Sequence, residues 1–278
     1  MSVTIMLGGG LDEIGPALEG AIHLTKRMKT TLSGLCVLPD PANSMVYVTG
    51  AETVVMSAAA ISSLTEAQEK LVKDYKQSFA DQTKAAGSWL KADFTKETGS
   101  VASYAAAAAS LADALVVPKG ATQSAHPLNA VFEHVLMEAN LPLVLAASEP
   151  KTSDTCLIAW DGSPLAARAV RLHMPLIKSY KKVVIAQNPE KVRHQWAHVC
   201  QDSKERLTEM LREERLEVIN IELDGPVSDA LLEAADAHDA SLIVMGAYGH
   251  SRIGQMLFGG TTSKLLHNNA APALALCR

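Results

Sequence analysis

The sequence predicts an α/β protein of two similar halves, each a doubly wound domain with a five-stranded parallel sheet. Short apolar runs alternate with longer amphipathic segments along the chain, and strands that are apolar throughout are typical of parallel sheets covered on both faces. The alternation occurs twice, with Gly99 and Gly225 separated by 126 residues and Pro142 and Pro272 by 130 residues. Such internal repetition indicates two copies of one unit.

Each half opens with an apolar strand that leads into a helix, and a second strand follows that helix. The polar stretch after the second strand has the apolar spacing of a surface helix. In the first half these segments are 3–7, about 12–29, Thr31–Leu38 and about 61–86, and in the second half they are 155–160, about 163–178, Lys182–Gln187 and about 192–215.

Each half closes with a short helix, a wholly apolar strand, and a last strand that is entered through a proline. The helix and strand occupy 99–118 and 225–246, and the last strands are 141–146 and 271–276. The first strands are about 152 residues apart, so the first half carries an insertion of about 22 residues. Residues 39–60 must contain the insertion, and we expect them to form a loop or a small flap.

The domain boundary is expected in the polar, proline-containing linker 148–154, because domain boundaries fall in such segments. The predicted domains are residues 1–149 and 150–278. Strand–helix alternation requires right-handed crossovers between parallel strands. In such sheets ligands bind beyond the carboxyl ends of the strands, so the loops after strands one and four are the expected sites.

Composition excludes several classes of protein. Hydrophobic residues make up 48% and the net charge is −5, which supports a buried core and gives no basic field for DNA or RNA. The four cysteines form no CxxC pair, which suits a reducing cytoplasm. The start of the sequence lacks the basic region of a signal peptide. The apolar stretch 104–118 is interrupted by Asp113 and predicts a helix followed by a strand, not a membrane span.

The loop after the fourth strand of the second half carries the clearest chemical signal. Within 242–266 the glycines are Gly246, Gly249, Gly259 and Gly260. Glycines let backbone N–H groups approach a phosphate, and the start of a following helix favours negative charge. The hydroxyls of Thr261, Thr262 and Ser263 add donors. The pattern favours an anion site, although glycines also serve turns and close packing.

These residues resemble a known family. Gly246-x2-Gly249-x9-Gly259, placed after an apolar strand, is similar to the G-2x-G-9x-G-(S/T) signature of the universal stress proteins. The segments 159–170 and 271–276 resemble the same family, and the resemblance extends over nearly the whole chain. It therefore implies a tandem universal stress protein, with two Rossmann-like domains of the adenine nucleotide alpha hydrolase-like type.

The resemblance implies that the second domain binds ATP, with or without Mg²⁺. Asp161 would hydrogen-bond the adenine, and Ala159, Gln187 and Asn188 would line the base pocket. Ribose and phosphates would lie between Met245, Gly246, Tyr248 and Gly249 on one side and Gly259, Gly260, Thr261 and Thr262 on the other. The sequence departs from the signature at Gly260, where the family usually has serine or threonine. That change removes a hydroxyl contact worth about 0.5–1.5 kcal/mol unless Thr261 or Thr262 replaces it.

The first half departs further from the signature. Its equivalent loop keeps only Gly120, has Pro118 where the second half has Gly246, and has Gly9 at the acidic position after strand one. We therefore expect this half to have lost nucleotide binding and to act as the pseudo-dimer partner of the second. The alternative is that Gly8, Gly9 and Gly10 form a different anion site with Lys119.

Other constellations allow two interpretations. His194, His198 and Asp202, with Cys200 nearby, have a helical spacing that could hold a metal. We favour a solvated helix face instead, because an HxxxH pattern without a glutamate base or a third convergent ligand is a weak signal. Asp161, Ser163 and His250 could form a hydrolytic set, whereas Ser163 also suits a helix N-cap. Asp154, Asp161 or Asp224 could help to hold Mg²⁺. Trp160 is the tryptophan nearest to the expected site.

The function that these patterns favour is a cytoplasmic stress-response protein that binds ATP in its second domain and acts as a sensor or regulator. No catalytic residue is assigned. The alternatives are a nucleotide-free scaffold that acts through protein contacts, and a slow ATPase. A homodimer or an intramolecular pseudo-dimer is expected, with no nucleic acid and no membrane as partner.

Overall fold

The computed structural model describes residues 2–41, 58–192, 203–247 and 260–278. Strands and helices alternate in these residues. The strands are β1 Ser2–Met6, β2 Thr31–Leu38, β3 Ala92–Thr98, β4 Ala114–Val117, β5 Leu143–Leu145, β6 Thr155–Ala159, β7 Lys182–Gln187, β8 Glu217–Glu222, β9 Ala240–Gly246 and β10 Ala273–Cys277. The α-helices are α1 Leu11–Met28, α2 Ala58–Ala86, α3 Val101–Leu111, α4 Asn129–Glu133, α5 Pro164–Leu172, α6 Met174–Ile177, α7 Ser203–Glu213, α8 Val227–Ala237 and α9 Gly260–His267.

All ten strands belong to one sheet, in the order β3-β2-β1-β4-β5-β10-β9-β6-β7-β8. Within each half every pairing is parallel, which confirms the predicted fold class. The halves are joined by an antiparallel pairing of β5 and β10, with Leu145 opposite Leu274 and Leu143 opposite Leu276. The strand order reverses beside the first strand of each half, and this is where doubly wound sheets bind ligands.

Helices cover both faces of the sheet. Successive residues of a strand point to opposite faces, so Ile5 packs with α1 and α2 whereas Met6 packs with α3 and α4. In the second half Ile158 packs towards α5 to α7, and Leu157 packs towards α8 and α9. Central strands buried on both sides explain why their sequences are continuous apolar runs.

The apolar pattern of the sequence does not reveal the two edge strands, β3 and β8. Every residue of these strands is exposed or half-buried, and their sequences, ADFTKET and EVINIE, are rich in charged or polar residues. Charged side chains on an edge strand prevent it from pairing with another chain. A search for continuous apolar runs therefore misses these two strands for a physical reason.

Two predicted helical segments differ in detail. The helix predicted over 163–178 is two helices, α5 and α6, because Pro175 has no N–H to donate and its ring disfavours an uninterrupted helix. The helix predicted from residue 61 begins at Ala58. Most of the predicted insertion 39–60, namely 42–57, lies outside the described residues. Among the described helices, none combines the length and the hydropathy that crossing a membrane requires.

Candidate functional site

The candidate site of the second half lies at the carboxyl ends of three neighbouring strands. β6 lies between β7 and β9, and the register places Ala159 beside Ala186 and Ile158 beside Val244. The predicted site residues Ala159, Gln187 and Gly246 therefore end adjacent strands at one edge of the sheet. This convergence follows from parallel pairing, since the carboxyl ends of parallel strands meet on the same side.

Asp161 lies in a tight turn between β6 and α5. Its Oδ1 accepts a hydrogen bond of 2.9 Å from the backbone N–H of Ser163. Gly162 has a φ of 72°, a left-handed conformation that favours glycine. The turn holds the half-buried carboxylate beside the first residues of α5.

Ser163 is the N-cap of α5. Its hydroxyl accepts a hydrogen bond of 3.2 Å from the N–H of Ala166, and Pro164 occupies the first helical position. The side chain is buried, so the N-cap interpretation of Ser163 is confirmed. His250, the third member of the possible hydrolytic set, lies outside the described residues.

Gly246 has a packing role that its sequence motif does not reveal. A Cβ atom at this position would lie 3.0 Å from the carbonyl carbon and the Cβ of Leu165, and 3.1 Å from the N of Ala166. These contacts are tighter than ordinary van der Waals contact, and two of them are to backbone atoms that cannot move aside easily. The glycine thus lets the end of β9 approach the first turn of α5.

The residues at the end of β7 are buried. Gln187 and Asn188 are exposed by only 8% and 6%. The Asn188 amide donates to the carbonyl of Gly225 at 3.2 Å and accepts from the N–H of Glu190 at 3.0 Å. In this structure Asn188 therefore connects the loop after β7 to the loop after β8.

The phosphate side of the predicted site is only partly described. Tyr248, Gly249 and Gly259 lie outside the described residues. Helix α9 begins at Gly260, so Gly260, Thr261 and Thr262 form its first turn, and the side chain of Thr262 is half-buried. Lys264 of this helix lies 3.5 Å from Asp229 of α8, which attaches α9 to its neighbour. Met245 is buried in the core next to Gly246.

Trp160 precedes Asp161 and carries an unsatisfied donor. The residue is buried, and its indole Nε1 has no hydrogen-bond partner within the part of the chain that the structure describes. A buried donor without a partner is costly and requires an explanation, such as water or a ligand. The sequence placed Trp160 near the site, but it gave no sign that its N–H is unpaired.

The acidic residues considered for Mg²⁺ occupy opposite ends of the sheet. Asp154 precedes β6 and therefore lies at its amino end, so its placement near the site is wrong. Its carboxylate is 2.9 Å from Arg27 and 2.5 Å from Lys181, and these two cations hold its pKa below the ordinary value of 3.8. Asp224 follows β8 at the carboxyl end. No cluster of three metal-ligating side chains occurs among the described residues. The possible metal ligands His194, His198, Cys200 and Asp202 lie outside the described residues.

The equivalent site of the first half is one residue away from its predicted position. Ile5 lies beside Val116 as Ile158 lies beside Val244, and Gly10 caps α1 as Ser163 caps α5. These matches place Gly8, not Gly9, at the position of Asp161. They also align Gly9, with a φ of 99°, with Gly162. The spacing between the repeats does not align the two halves to within one residue. The strand register and the position of the helix N-cap do.

Side chains of the first half fill the place of the second half's carboxylate. A Cβ on Gly8 would lie 2.9 Å from Cγ and Cδ2 of Leu128, and one on Gly9 would lie 2.4 Å from Nε2 of His126. The Nδ1 of His126 accepts a hydrogen bond of 3.0 Å from the N–H of Leu128. The Tyr75 hydroxyl donates to the carbonyl of Gly9 at 2.7 Å.

The alternative anion site of Gly8, Gly9 and Gly10 with Lys119 is not assembled. The ammonium group of Lys119 donates to the carbonyl of Asn268, and burial lowers its pKa to about 8. Lys119 lines a cavity with Asp12 and Glu13, whereas the three glycines line a separate cavity. The lysine and the glycines therefore cannot hold one anion together in this structure.

Part of the chain matches a known protein family. Residues 152–276 match the universal stress protein family. The matched segment starts shortly before β6 and ends within β10. The matched segment therefore contains every predicted site residue, while the family match does not include the first half.

Solved structures share the fold over the whole chain. The crystal structure of a universal stress protein from Archaeoglobus fulgidus DSM 4304 is 16% identical with a TM-score of 0.66, and the similarity covers 100% of this chain and 98% of that chain. A functionally unknown protein from Pseudomonas aeruginosa PAO1 is 14% identical with a TM-score of 0.51, covering 99% and 92%. No curated protein matches the sequence. At these identities the similarity shows a common fold.

Proposed function

We propose that this chain is a cytoplasmic stress-response protein whose universal stress protein domain binds ATP and signals the occupancy of its site. The proposal rests on one observation above all. Asp161 is held by the Ser163 N–H at the carboxyl end of β6, next to Ala159 and near the end of β9. A carboxylate in this position can accept a hydrogen bond from the amino group of adenine, and the family match of residues 152–276 supports that role.

The remaining predicted residues would complete the site. Ala159 and the buried Gln187 would contact the base, and Met245 and Gly246 would lie beside the ribose. The N–H groups at the start of α9 would face the phosphates together with the loop that precedes it. Mg²⁺, if bound, would be carried by the phosphates, because the described residues bring no three acidic or histidine ligands together.

The first half would be a diverged copy of the same domain. Its five-stranded unit and its N-cap match the second half, whereas Gly8 and Leu128 replace the carboxylate. The antiparallel β5–β10 pairing would then be an intramolecular pseudo-dimer contact. Sedimentation equilibrium distinguishes this arrangement, with the mass of one chain, from a further homodimer with twice that mass.

Isothermal titration of Mg²⁺ and ATP tests nucleotide binding directly. Wild type should bind about one ATP per chain and prefer ATP to GTP. Asp161→Asn keeps the oxygen that the Ser163 N–H needs but changes the group that meets the base, so it should weaken ATP binding by about tenfold, or about 1.4 kcal/mol. Asp93→Asn on the exposed edge strand β3 is the charge-matched control and should bind as wild type does.

Absence of binding at millimolar ATP, with no nucleotide in the purified protein by mass spectrometry, would contradict the proposal. The alternative would then be a scaffold that acts through protein contacts. The joining of both halves into one sheet favours that alternative, since a continuous ten-stranded sheet presents two similar units in a fixed arrangement. Equal ATP affinity of Asp161→Asn and wild type would instead show that the adenine lies elsewhere.

A further inference from the structure

A cavity of about 630 Å³ lies at the carboxyl end of the first half's sheet. The loops after β1, β2 and β4 surround it, and Leu71 and Tyr75 of α2 form one wall. Its position corresponds to that of the candidate nucleotide site in the second half. Its volume lies within the range of about 300–1,000 Å³ that is common for small-molecule sites.

The lining of this first-half cavity is uncharged and mainly aliphatic. None of its described lining residues is Asp, Glu, Lys or Arg, and Leu7, Leu38, Leu71, Val101 and Leu128 contribute apolar surface. This composition differs from that of the neighbouring cavity, which contains Lys119, Asp12 and Glu13. A charged ligand would lose its hydration here without gaining an oppositely charged partner from the described lining.

Two polar side chains at the base of the first-half cavity, Tyr75 and His126, contact other groups of the protein. The Tyr75 hydroxyl donates to the carbonyl of Gly9 at 2.7 Å. The Nδ1 of His126 accepts from the N–H of Leu128, and its Nε2 lies 3.0 Å from Oε2 of Glu13, in contact but without hydrogen-bond alignment. Because Nδ1 is an acceptor, the ring carries its proton on Nε2 and faces Glu13 with it.

Two further features make the first-half cavity unsuitable for a nucleotide. Leu128 packs on Gly8, where the second half has the carboxylate of Asp161. Pro118 follows β4, where Gly246 ends β9, and it has no N–H to offer to a phosphate. Without the adenine acceptor, the cavity has apolar contacts as its main source of binding energy.

We propose that the first-half cavity binds a small, uncharged and largely apolar molecule. The chain would then carry two ligand sites of different chemistry at equivalent positions of its two halves. This inference does not depend on ATP binding by the second half, because all the residues that carry it belong to the first half.

The neutral fluorophore N-phenyl-1-naphthylamine provides a direct probe. Its fluorescence should rise on titration with the full chain and saturate at one site per chain. Leu71→Glu places a charge in the half-buried wall and should weaken probe binding at least tenfold, because a charge without a partner disfavours an apolar occupant. Leu111→Glu, at a leucine that is 90% exposed on α3, is the matched control and should leave binding unchanged.

A second variant tests the cavity independently in case Leu71→Glu does not fold. Ala125 is exposed at the rim of the cavity, so Ala125→Trp should block the probe while the sheet stays intact by circular dichroism. Ala237→Trp, on the exposed end of α8, is its control.

Three results would overturn the proposal: no saturable probe binding, equal binding by Leu71→Glu and Leu111→Glu, or displacement of the probe by millimolar Mg²⁺ and ATP. The last result would mean that the first-half cavity is a nucleotide site after all. Failure of ATP to bind in calorimetry, with probe binding intact, would contradict only the function proposed for the second half.

Discussion

The side chain of Leu128 packs directly against the backbone of Gly8, at the position where the second half carries Asp161. The distance from an ideal Cβ on Gly8 to Cγ of Leu128 would be only 2.9 Å. The two halves therefore differ in the group that each places at the carboxyl end of its first strand, a leucine in one and a carboxylate in the other. This single exchange replaces a carboxylate with apolar packing.

Gly8 and Leu128 should be energetically coupled. Gly8→Ala should lower the free energy of unfolding by about 1–3 kcal/mol, because the added methyl group overpacks the site. Leu128→Ala should lower it by about 2–5 kcal/mol through the cavity that it leaves. The double variant should cost clearly less than the sum, since the smaller side chain makes room for the methyl group. Urea unfolding of all four proteins measures the coupling, and strictly additive costs would show that the two residues do not compete for one space.

Gly246→Ala should destabilise the second half even without any ligand. Its Cβ would meet the backbone of α5 at 3.0–3.1 Å, so we expect a loss of about 1–3 kcal/mol in the free energy of unfolding. Gly20 is the control, because a Cβ there meets nothing within 4 Å and alanine is the better helix former. Gly20→Ala should leave stability unchanged or raise it by up to about 1 kcal/mol. If both variants behave alike, packing of β9 on α5 is not what requires Gly246.

His173 should make stability depend on pH. It is fully buried between α5 and α6, its Nε2 donates to the carbonyl of Leu276 at 3.0 Å, and burial lowers its pKa to about 4 from 6.5. The unfolded chain binds this proton more readily, so the stabilisation is complete above about pH 6.5 and is lost as the pH falls towards 4. The loss should be on the order of 3 kcal/mol.

Urea unfolding between pH 7.5 and 4 measures this effect. His173→Gln retains a side-chain donor for Leu276 and has no titrating ring, so its stability should vary less over the same range. His238 is only half-buried, at the C-cap of α8, and provides the control variant His238→Gln, which should keep the wild-type pH dependence. An unchanged pH profile in His173→Gln would mean that other groups cause the acid sensitivity.

Arg27 should connect the two halves energetically. Its guanidinium contacts Asp154 at 2.9 Å and the carbonyls of Ser153 at 2.6 Å and Thr152 at 3.4 Å, and it lies 4.2 Å above the ring of Tyr180. Arg27→Ala should lower the free energy of unfolding by about 1–3 kcal/mol, discounted because Asp154 is partly exposed to solvent.

Lys151→Ala is the control for Arg27→Ala. Lys151 reaches Asp236 at 3.5 Å, and both side chains are exposed, so its loss should cost at most about 0.5 kcal/mol. Comparable effects of Arg27→Ala and Lys151→Ala would contradict a linking role for Arg27.

Lys181 and Arg27 lower the pKa of Asp154, so the stabilisation by this carboxylate is present above about pH 3.8 and disappears as the pH falls further.

The hydrophobic pattern of the sequence is sufficient to predict most strands of the sheet. Wholly apolar runs identify strands such as β4 and β9, because strands covered on both faces need apolar side chains at every position. The same rule does not identify β3 and β8, because these strands lie at the edges of the sheet and their outward side chains are polar. The break at His173 does not interrupt the amphipathic pattern, so the pattern predicts one helix where Pro175 divides α5 from α6.

The candidate site shows the same division. The predicted parallel strands place Ala159, Asp161 and Gly246 at one edge of the sheet, because the carboxyl ends of neighbouring parallel strands meet there. The family signature independently singles out Gly246. The roles of Gly8, Leu128 and the Trp160 N–H could not be read from the chain, because each depends on contacts between residues far apart in sequence. Local pattern thus determines which elements form and at which edge of the sheet a site can lie, whereas long-range packing determines which side chains meet at that edge in each half.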